Sequence, residues 1–295
     1  MMQAQTILVL GGGVGGLVTA NTLRRLLPRE HRVVLVEREA NHVFTPSLLW
    51  LMTGRRRSEQ IRRPLERLRR KGIEVVRGEI ERIEPEARRV TVNGQSLTGD
   101  HLVVSLGAEF TPEAIPGLAE AGHTFCTLAG AEALRDALPA FRAGRLVVLT
   151  AAPAYKCPAA PYEAAMLLEH DCRRRGVRDS VRIDLYAAEP GPLGVAGPVV
   201  SAGVRQMVEQ KGIAYHPEHQ VTRVDPAARR IDFANGASAS FDLLVYVPSH
   251  RAPAVVREAG LLDESGWVSV ERHTLATQYP GVYAIGDVTG IPLKL

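Results

Sequence analysis

Thr6-Ile7-Leu8-Val9-Leu10-Gly11-Gly12-Gly13-Val14-Gly15-Gly16 decides how the rest of the chain is read. Thr6–Leu10 is a short run of β-type residues. The glycines break it, and Leu17–Leu27 then reads as a helix. Arg32–Val36 is a β-branched run that ends against Glu37, 21 residues beyond Gly16. Strand, glycine turn, helix, strand and acid form one device. Gly11 permits the tight turn, Gly13 lets the backbone approach a pyrophosphate, and Gly16 lets the helix pack close to the strand. The helix N-terminus then presents unpaired N–H groups and a positive dipole to the phosphates. Glu37 can accept hydrogen bonds from a ribose 2′-OH and repels a 2′-phosphate.

Outward from that unit the pattern continues and then repeats. Arg67–Lys71 ends a helix at Gly72. Ile73–Arg77 predicts a strand, Ile80–Ile83 and Arg89–Val92 a hairpin-like β region around Asn93-Gly94, and Leu102–Leu106 an apolar strand ending at Gly107-Ala108. A second α/β unit follows, with helices predicted at Glu132–Phe141, Pro161–Arg175 and Ser201–Lys211 and strands at Arg145–Thr150 and Val181–Ala187. After Gly212 the layout seen after Gly72 returns: Ile213–His216, Val221–Val224, Arg230–Phe233 and Asn235-Gly236. Leu243–Val247 echoes Leu102–Leu106. The expected class is therefore α/β, with two tandem Rossmann-like dinucleotide-binding domains. The first is expected to be discontinuous, 1–108 plus 242–295, and the second to span 109–241.

Composition narrows the classes. The chain has 295 residues, 45% hydrophobic and 23% charged, so a folded core is expected and general disorder is excluded. No apolar run reaches the roughly 18 residues that cross a bilayer. The short run Ile7–Leu10 has no basic segment before it, so no signal peptide is expected and the chain is placed in the cytoplasm. Net charge is +4, with Arg55, Arg56, Arg57, Arg62, Arg63, Arg67, Arg69, Arg70 and Lys71 crowded into one segment. That segment is either a solvated face or a patch for anionic lipid or an anionic cofactor, with peripheral contact on the inner face of the cell membrane. Nucleic acid is not expected, because no binding motif accompanies the charge. Three cysteines, Cys126, Cys157 and Cys172, make no disulfide framework. Without CxxC or HxxxH spacing no metal site is expected.

Two further stretches carry chemistry. Thr277-Gln278-Tyr279-Pro280-Gly281-Val282-Tyr283-Ala284-Ile285-Gly286-Asp287 places a carboxylate and backbone N–H groups at a strand end, suited to a polyol hydroxyl and a phosphate. After the strand Arg145–Thr150 comes Ala151-Ala152-Pro153-Ala154-Tyr155-Lys156-Cys157-Pro158-Ala159-Ala160-Pro161-Tyr162-Glu163, without a glycine. Side chains and prolines occupy the space a pyrophosphate needs, and prolines remove N–H donors. A nicotinamide dinucleotide is therefore not expected there. A cysteine ahead of a helix N-terminus and beside Lys156 is expected to be acidified toward thiolate; the alternative for Cys157 is a small buried residue.

The combination resembles the two-dinucleotide-binding-domain flavoproteins, over the whole chain. The segment Thr277–Asp287 matches their T-x-x-P-G-x-x-A-x-G-D motif without a gap. The resemblance implies that FAD is the cofactor, that Glu37 and Asp287 contact it, and that Gly107 and Ala108 lie under its adenine half. Cys157 to Glu163, C-x-x-x-P-Y-E, resembles the active-site segment of the sulfide:quinone oxidoreductase and flavocytochrome c sulfide dehydrogenase family. Cys126 falls where some members carry an additional cysteine. By this resemblance sulfide is oxidised through a persulfide on Cys157, and two electrons pass through FAD to a membrane quinone. Glu163 is a candidate proton shuttle or a solvated carboxylate that favours the helix N-terminus. The family pairs this cysteine with a second one in a C-terminal third, which also holds the quinone pocket; here the sequence ends eight residues after Asp287. The other readings are an NADH dehydrogenase-like flavin oxidoreductase with another donor and a non-catalytic FAD-binding fragment. A homo-oligomer is compatible with the sequence.

Overall fold

The computed structural model describes residues 3–291. The final residues of the expected 242–295 stretch, 292–295, and the first two of 1–108 lie outside the described residues. The chain divides into two compact units. One holds the residues up to Val43, Arg62–Glu109 and the residues from Arg251; the other holds Phe44–Ile61 and Phe110–His250.

The first unit is built on a five-stranded parallel sheet in the order Val282–Ala284, His101–Val104, Thr6–Leu10, Arg32–Glu37, Glu74–Arg77. Alternate residues of the central strands point to opposite faces, and both faces are covered. Ile7, Val9, Val33 and Leu35 pack with Ala20, Leu17 and Leu23 of the helix Val14–Leu26. Leu8, Leu10, Val34 and Val36 pack against Ile80, Ile83, Val90 and Val92 of a three-stranded antiparallel sheet. The sheet runs outward one way through Arg32–Glu37 and resumes on the other side at His101–Val104. The switch point therefore falls at the end of Thr6–Leu10, where the glycine turn begins.

The second unit repeats this plan. Its parallel order is His123–Thr124, Leu243–Val247, Gly144–Thr150, Val181–Tyr186, Ile213–His216. Val147 and Leu149 pack on Val221, Val224, Ile231 and Phe233 of its own antiparallel sheet. The repetition reaches fine detail. A register shift lies between Ile80 and Arg82 in one antiparallel pair and between Val221 and Arg223 in the other. The hairpins read Pro85-Glu86-Ala87-Arg88-Arg89 and Pro226-Ala227-Ala228-Arg229-Arg230, with Arg88 and Arg229 both left-handed at φ near 50°.

Three expectations shift. The stretch Phe44–Ile61, expected within the first domain 1–108, belongs to the second unit. The boundary expected at 242 falls at 250/251, because Leu243–Val247 pairs in register with Gly144–Thr150. The helix expected at Glu132–Phe141 runs over Leu128–Ala137 instead. Thr127 caps it, its hydroxyl accepting the Gly130 N–H at 3.1 Å, and Pro139 sits in the short 3-10 turn that closes it.

Candidate functional site

In the first unit the parallel strands bring the expected groups to one edge. Gly11 follows Leu10, Glu37 ends its strand, Gly107-Ala108 follow His101–Val104, and Gly286-Asp287 follow Val282–Ala284. Each glycine has a physical reason. Gly11 has φ +100°, and a Cβ there would lie 2.5 Å from the Ser105 carbonyl oxygen. At Gly16 a Cβ would meet the Gly11 carbonyl oxygen at 1.9 Å, so any side chain would push the helix off the strand. Around Gly13, Gly107 and Gly286 a Cβ would find no heavy atom within 4 Å. The open space at Gly13, where the helix starts, is what a pyrophosphate requires. The helix Val14–Leu26 begins on Gly13 with no side-chain cap and no acid in its first turn, so its N–H groups and dipole are available to an anion.

Glu37 is held for this role. One carboxylate oxygen accepts the Gly12 N–H at 2.5 Å and the other accepts the Glu39 N–H at 2.9 Å. Each oxygen keeps a second lone pair for a ribose hydroxyl. Sequence reasoning missed three supports. A Cβ on Gly12 would lie 2.9 Å from Glu37 Cγ. The Ser105 hydroxyl donates to the Leu10 carbonyl at 2.6 Å, tying two strand ends. His42 Nδ1 lies 3.0 Å from the Gly12 carbonyl oxygen. The run of three consecutive glycines was the available signal for the first.

In the second unit Cys157 occupies the turn after Gly144–Thr150, and Cys126 follows the parallel strand His123–Thr124, so both belong to the carboxyl edge of one sheet. A charge on Cys157 acts on Cys126, so the two are within electrostatic reach. Cys157 is exposed and has a left-handed backbone, φ +60°, rare for a residue with a side chain. Its carbonyl accepts the Ala160 N–H at 2.9 Å, just where the helix Ala160–Arg174 starts.

The expected acidification of Cys157 is corrected. Desolvation by the packed turn raises its pKa, and the charge of Glu163 raises it further. The N–H groups of Ala160 and Ala159 and the charge of Lys156 pull it down, but the balance stays above the ordinary thiol value. Sequence shows the helix start and the lysine; the packing of the turn around the sulfur of this otherwise exposed residue is invisible to it. Cys126 is pushed up to about 11, chiefly by burial. Cys172 is fully buried on its helix, with Arg175 at 3.7 Å from its sulfur, and takes no part in this group. Glu163 stands in the first turn of Ala160–Arg174, near enough to Cys157 to shift it.

The comparisons decide the family. The model of the pyridine nucleotide-disulphide oxidoreductases matches residues 5–294. The sulfide-quinone reductase of Aquifex aeolicus is 30% identical over 302 residues, covering 98% of this chain and 69% of the relative. The chain belongs to the sulfide:quinone oxidoreductase family. The mitochondrial sulfide:quinone oxidoreductase of Mus musculus is 25% identical, with 97% of this chain and 66% of the relative covered. The X-ray structure of the Aquifex aeolicus enzyme superposes with a TM-score of 0.88 at 28% identity, over 98% of this chain and 70% of that one. The chain thus spans about two thirds of the length of these relatives. Members of this family are FAD-dependent oxidoreductases, and the first unit's open glycine turn, uncapped helix start and anchored acid fit that cofactor. Among the described residues no helix is long and apolar enough to cross a membrane.

Proposed function

We propose that this chain oxidises sulfide at Cys157 and delivers two electrons, by way of FAD, to a membrane quinone. The observation that carries this reading is the second unit's turn. Where the first unit offers glycines and open space, the second presents a thiol on a left-handed backbone at a helix start, in a turn without glycine. Gly11, Gly13, Gly16, Glu37, Gly107, Ala108, Gly286 and Asp287 would hold the cofactor. Bound there, FAD would supply a two-electron acceptor that a quinone could reoxidise. The chain's own part is to join Cys157 Sγ to the sulfur of HS⁻; the S–H bond of each partner breaks, and the step gives up two protons and two electrons, the electrons to the bound flavin.

Glu163 takes one of these two protons and solvent the other, because it is the carboxylate whose charge reaches the sulfur. The Ala159 and Ala160 N–H groups stabilise the anionic sulfur while it reacts. Cys126 is a second thiol of the same edge, close enough to respond to Cys157. The exposed Arg55, Arg56 and Arg57, beside the half-exposed Trp50, supply contact with anionic lipid on the inner face of the cell membrane.

The test uses purified chain loaded with FAD. Sulfide should bleach the flavin absorbance, and a decyl-chain quinone should restore it. NADH should cause no rapid bleaching, although a type II NADH:quinone oxidoreductase of Mycobacterium tuberculosis is 25% identical to this chain. Rapid bleaching by NADH, or none by sulfide, overturns the proposal.

A further inference from the structure

In the second unit an acid follows the second parallel strand, as Glu37 ends its strand in the first. Glu189 lies three residues beyond Val181–Tyr186 and is 9% exposed. It is not offered to a nucleotide. Tyr155 donates its hydroxyl to Glu189, and Tyr162 donates to the same oxygen at 2.5 Å. Thr150 donates to the other oxygen at 3.1 Å and itself accepts the Ala188 N–H at 2.8 Å. Three elements meet on this carboxylate: the end of Gly144–Thr150, the cysteine turn, and the first turn of Ala160–Arg174.

The two tyrosines bracket Cys157, Tyr155 two residues before it and Tyr162 five after. Backbone bonds tie the turn at its ends, where Ala151 N–H donates to Val247 and Ala160 N–H to Cys157. Between those ends the Tyr155 phenol is an anchor, lying also 3.4 Å from the Pro158 carbonyl oxygen. Tyr162 is nearly fully buried and packs edge-on to Tyr215, with ring centroids 6.0 Å apart. Burial and the carboxylate's charge raise both phenol pKa values, so both remain hydrogen-bond donors.

We propose that Glu189 is a positioning residue for Cys157. Its carboxylate gathers the hydroxyls on either side of the cysteine and so holds the strained backbone that presents the thiol. A left-handed cysteine persists only where its surroundings fix it, and a buried carboxylate with three hydroxyl donors is a strong fixing point. The same contacts occupy the acid that this fold elsewhere offers to a ribose. The inference rests on the reading that Cys157 is the reacting thiol.

The test compares Glu189→Ala, Glu189→Gln, Tyr155→Phe and Tyr162→Phe in FAD-loaded protein of native circular dichroism. One readout is the rate of Cys157 alkylation by iodoacetamide, located by peptide mass; the other is kcat and KM for sulfide. Glu189→Ala should change the alkylation rate about fivefold and lower kcat about tenfold, with KM moving less than about twofold. Glu189→Gln keeps an acceptor oxygen and should recover most of the loss. If Glu189→Ala does not fold, the isosteric tyrosine variants carry the test, each with about a threefold effect on both readouts. Lower melting temperature with unchanged alkylation rate and kcat per bound flavin would overturn the proposal. Should the wild-type chain not oxidise sulfide while alkylation responds as stated, the sulfide reading fails and the positioning role stands.

Discussion

Glu37 ends the second strand of one unit and Glu189 follows the second strand of the other by three residues, and their surroundings are opposite. Glu37 touches backbone N–H groups beside a glycine turn with free space above it. Glu189 is wrapped by the hydroxyls of Thr150, Tyr155 and Tyr162. The helices differ in the same sense. Val14–Leu26 starts without an acid, whereas Ala160–Arg174 starts with Pro161 and carries Glu163 in its first turn, which repels a phosphate. Four of the five parallel strands follow one another in the same order in both units, so topology supplies only a location. On the proposed reading, a dozen residues in one turn decide whether that location receives a dinucleotide or presents a thiol.

The sharpest way to break the comparison is Cys157→Ser. Sulfide-driven flavin bleaching in stopped flow should fall by about a hundredfold or more, with FAD content unchanged. Bleaching at the wild-type rate would remove the thiol from the second unit's role. Next comes Gly16→Ala in the first unit. With a Cβ 1.9 Å from the Gly11 carbonyl oxygen, it should cost about 1–3 kcal/mol in thermal or urea unfolding and leave the purified protein depleted of flavin. Glu37→Ala should weaken FAD by about tenfold in a titration of flavin fluorescence, roughly 1.4 kcal/mol. It should also leave NADH without effect.

The smallest effect concerns acidity. Because Cys157 titrates above the ordinary thiol value, its alkylation rate should still be climbing as pH passes 9.0. Glu163→Gln removes a charge that raises the thiol, so alkylation at neutral pH should quicken by about two- to threefold. Lys156→Met removes a charge that lowers it and should slow the reaction by a similar factor. Equal rates in all three proteins would show that neither charge reaches the sulfur.

Much of this was legible in the sequence because the signals are local. The glycine spacing, the acid at Glu37 and the return of the same layout after Gly72 and Gly212 mark two copies of one fold. The segment ending in Gly286-Asp287 is equally plain, and it does reach the same sheet edge as Gly11–Gly16. What stayed hidden is tertiary. Leu243–Val247 reads the same whichever sheet it joins, and only its pairing with Gly144–Thr150 assigns it. The acidity of Cys157 was misjudged because desolvation depends on packing. Glu189 is visible as an acid after a strand, but its hydroxyl partners, as many as 39 residues away, are not.

The sheet of the first unit has a further consequence for how the chain is made. His101–Val104 pairs on one side with Thr6–Leu10 and on the other with Val282–Ala284. The ribosome must therefore deliver nearly the whole described chain before that flank closes and Asp287 joins the glycine turn. Until then the nascent protein exposes an open strand border, vulnerable to pairing with another molecule. The second unit's sheet is complete by Val247. Closure of the first unit's sheet is thus deferred until after the thiol-bearing half has its full complement of strands.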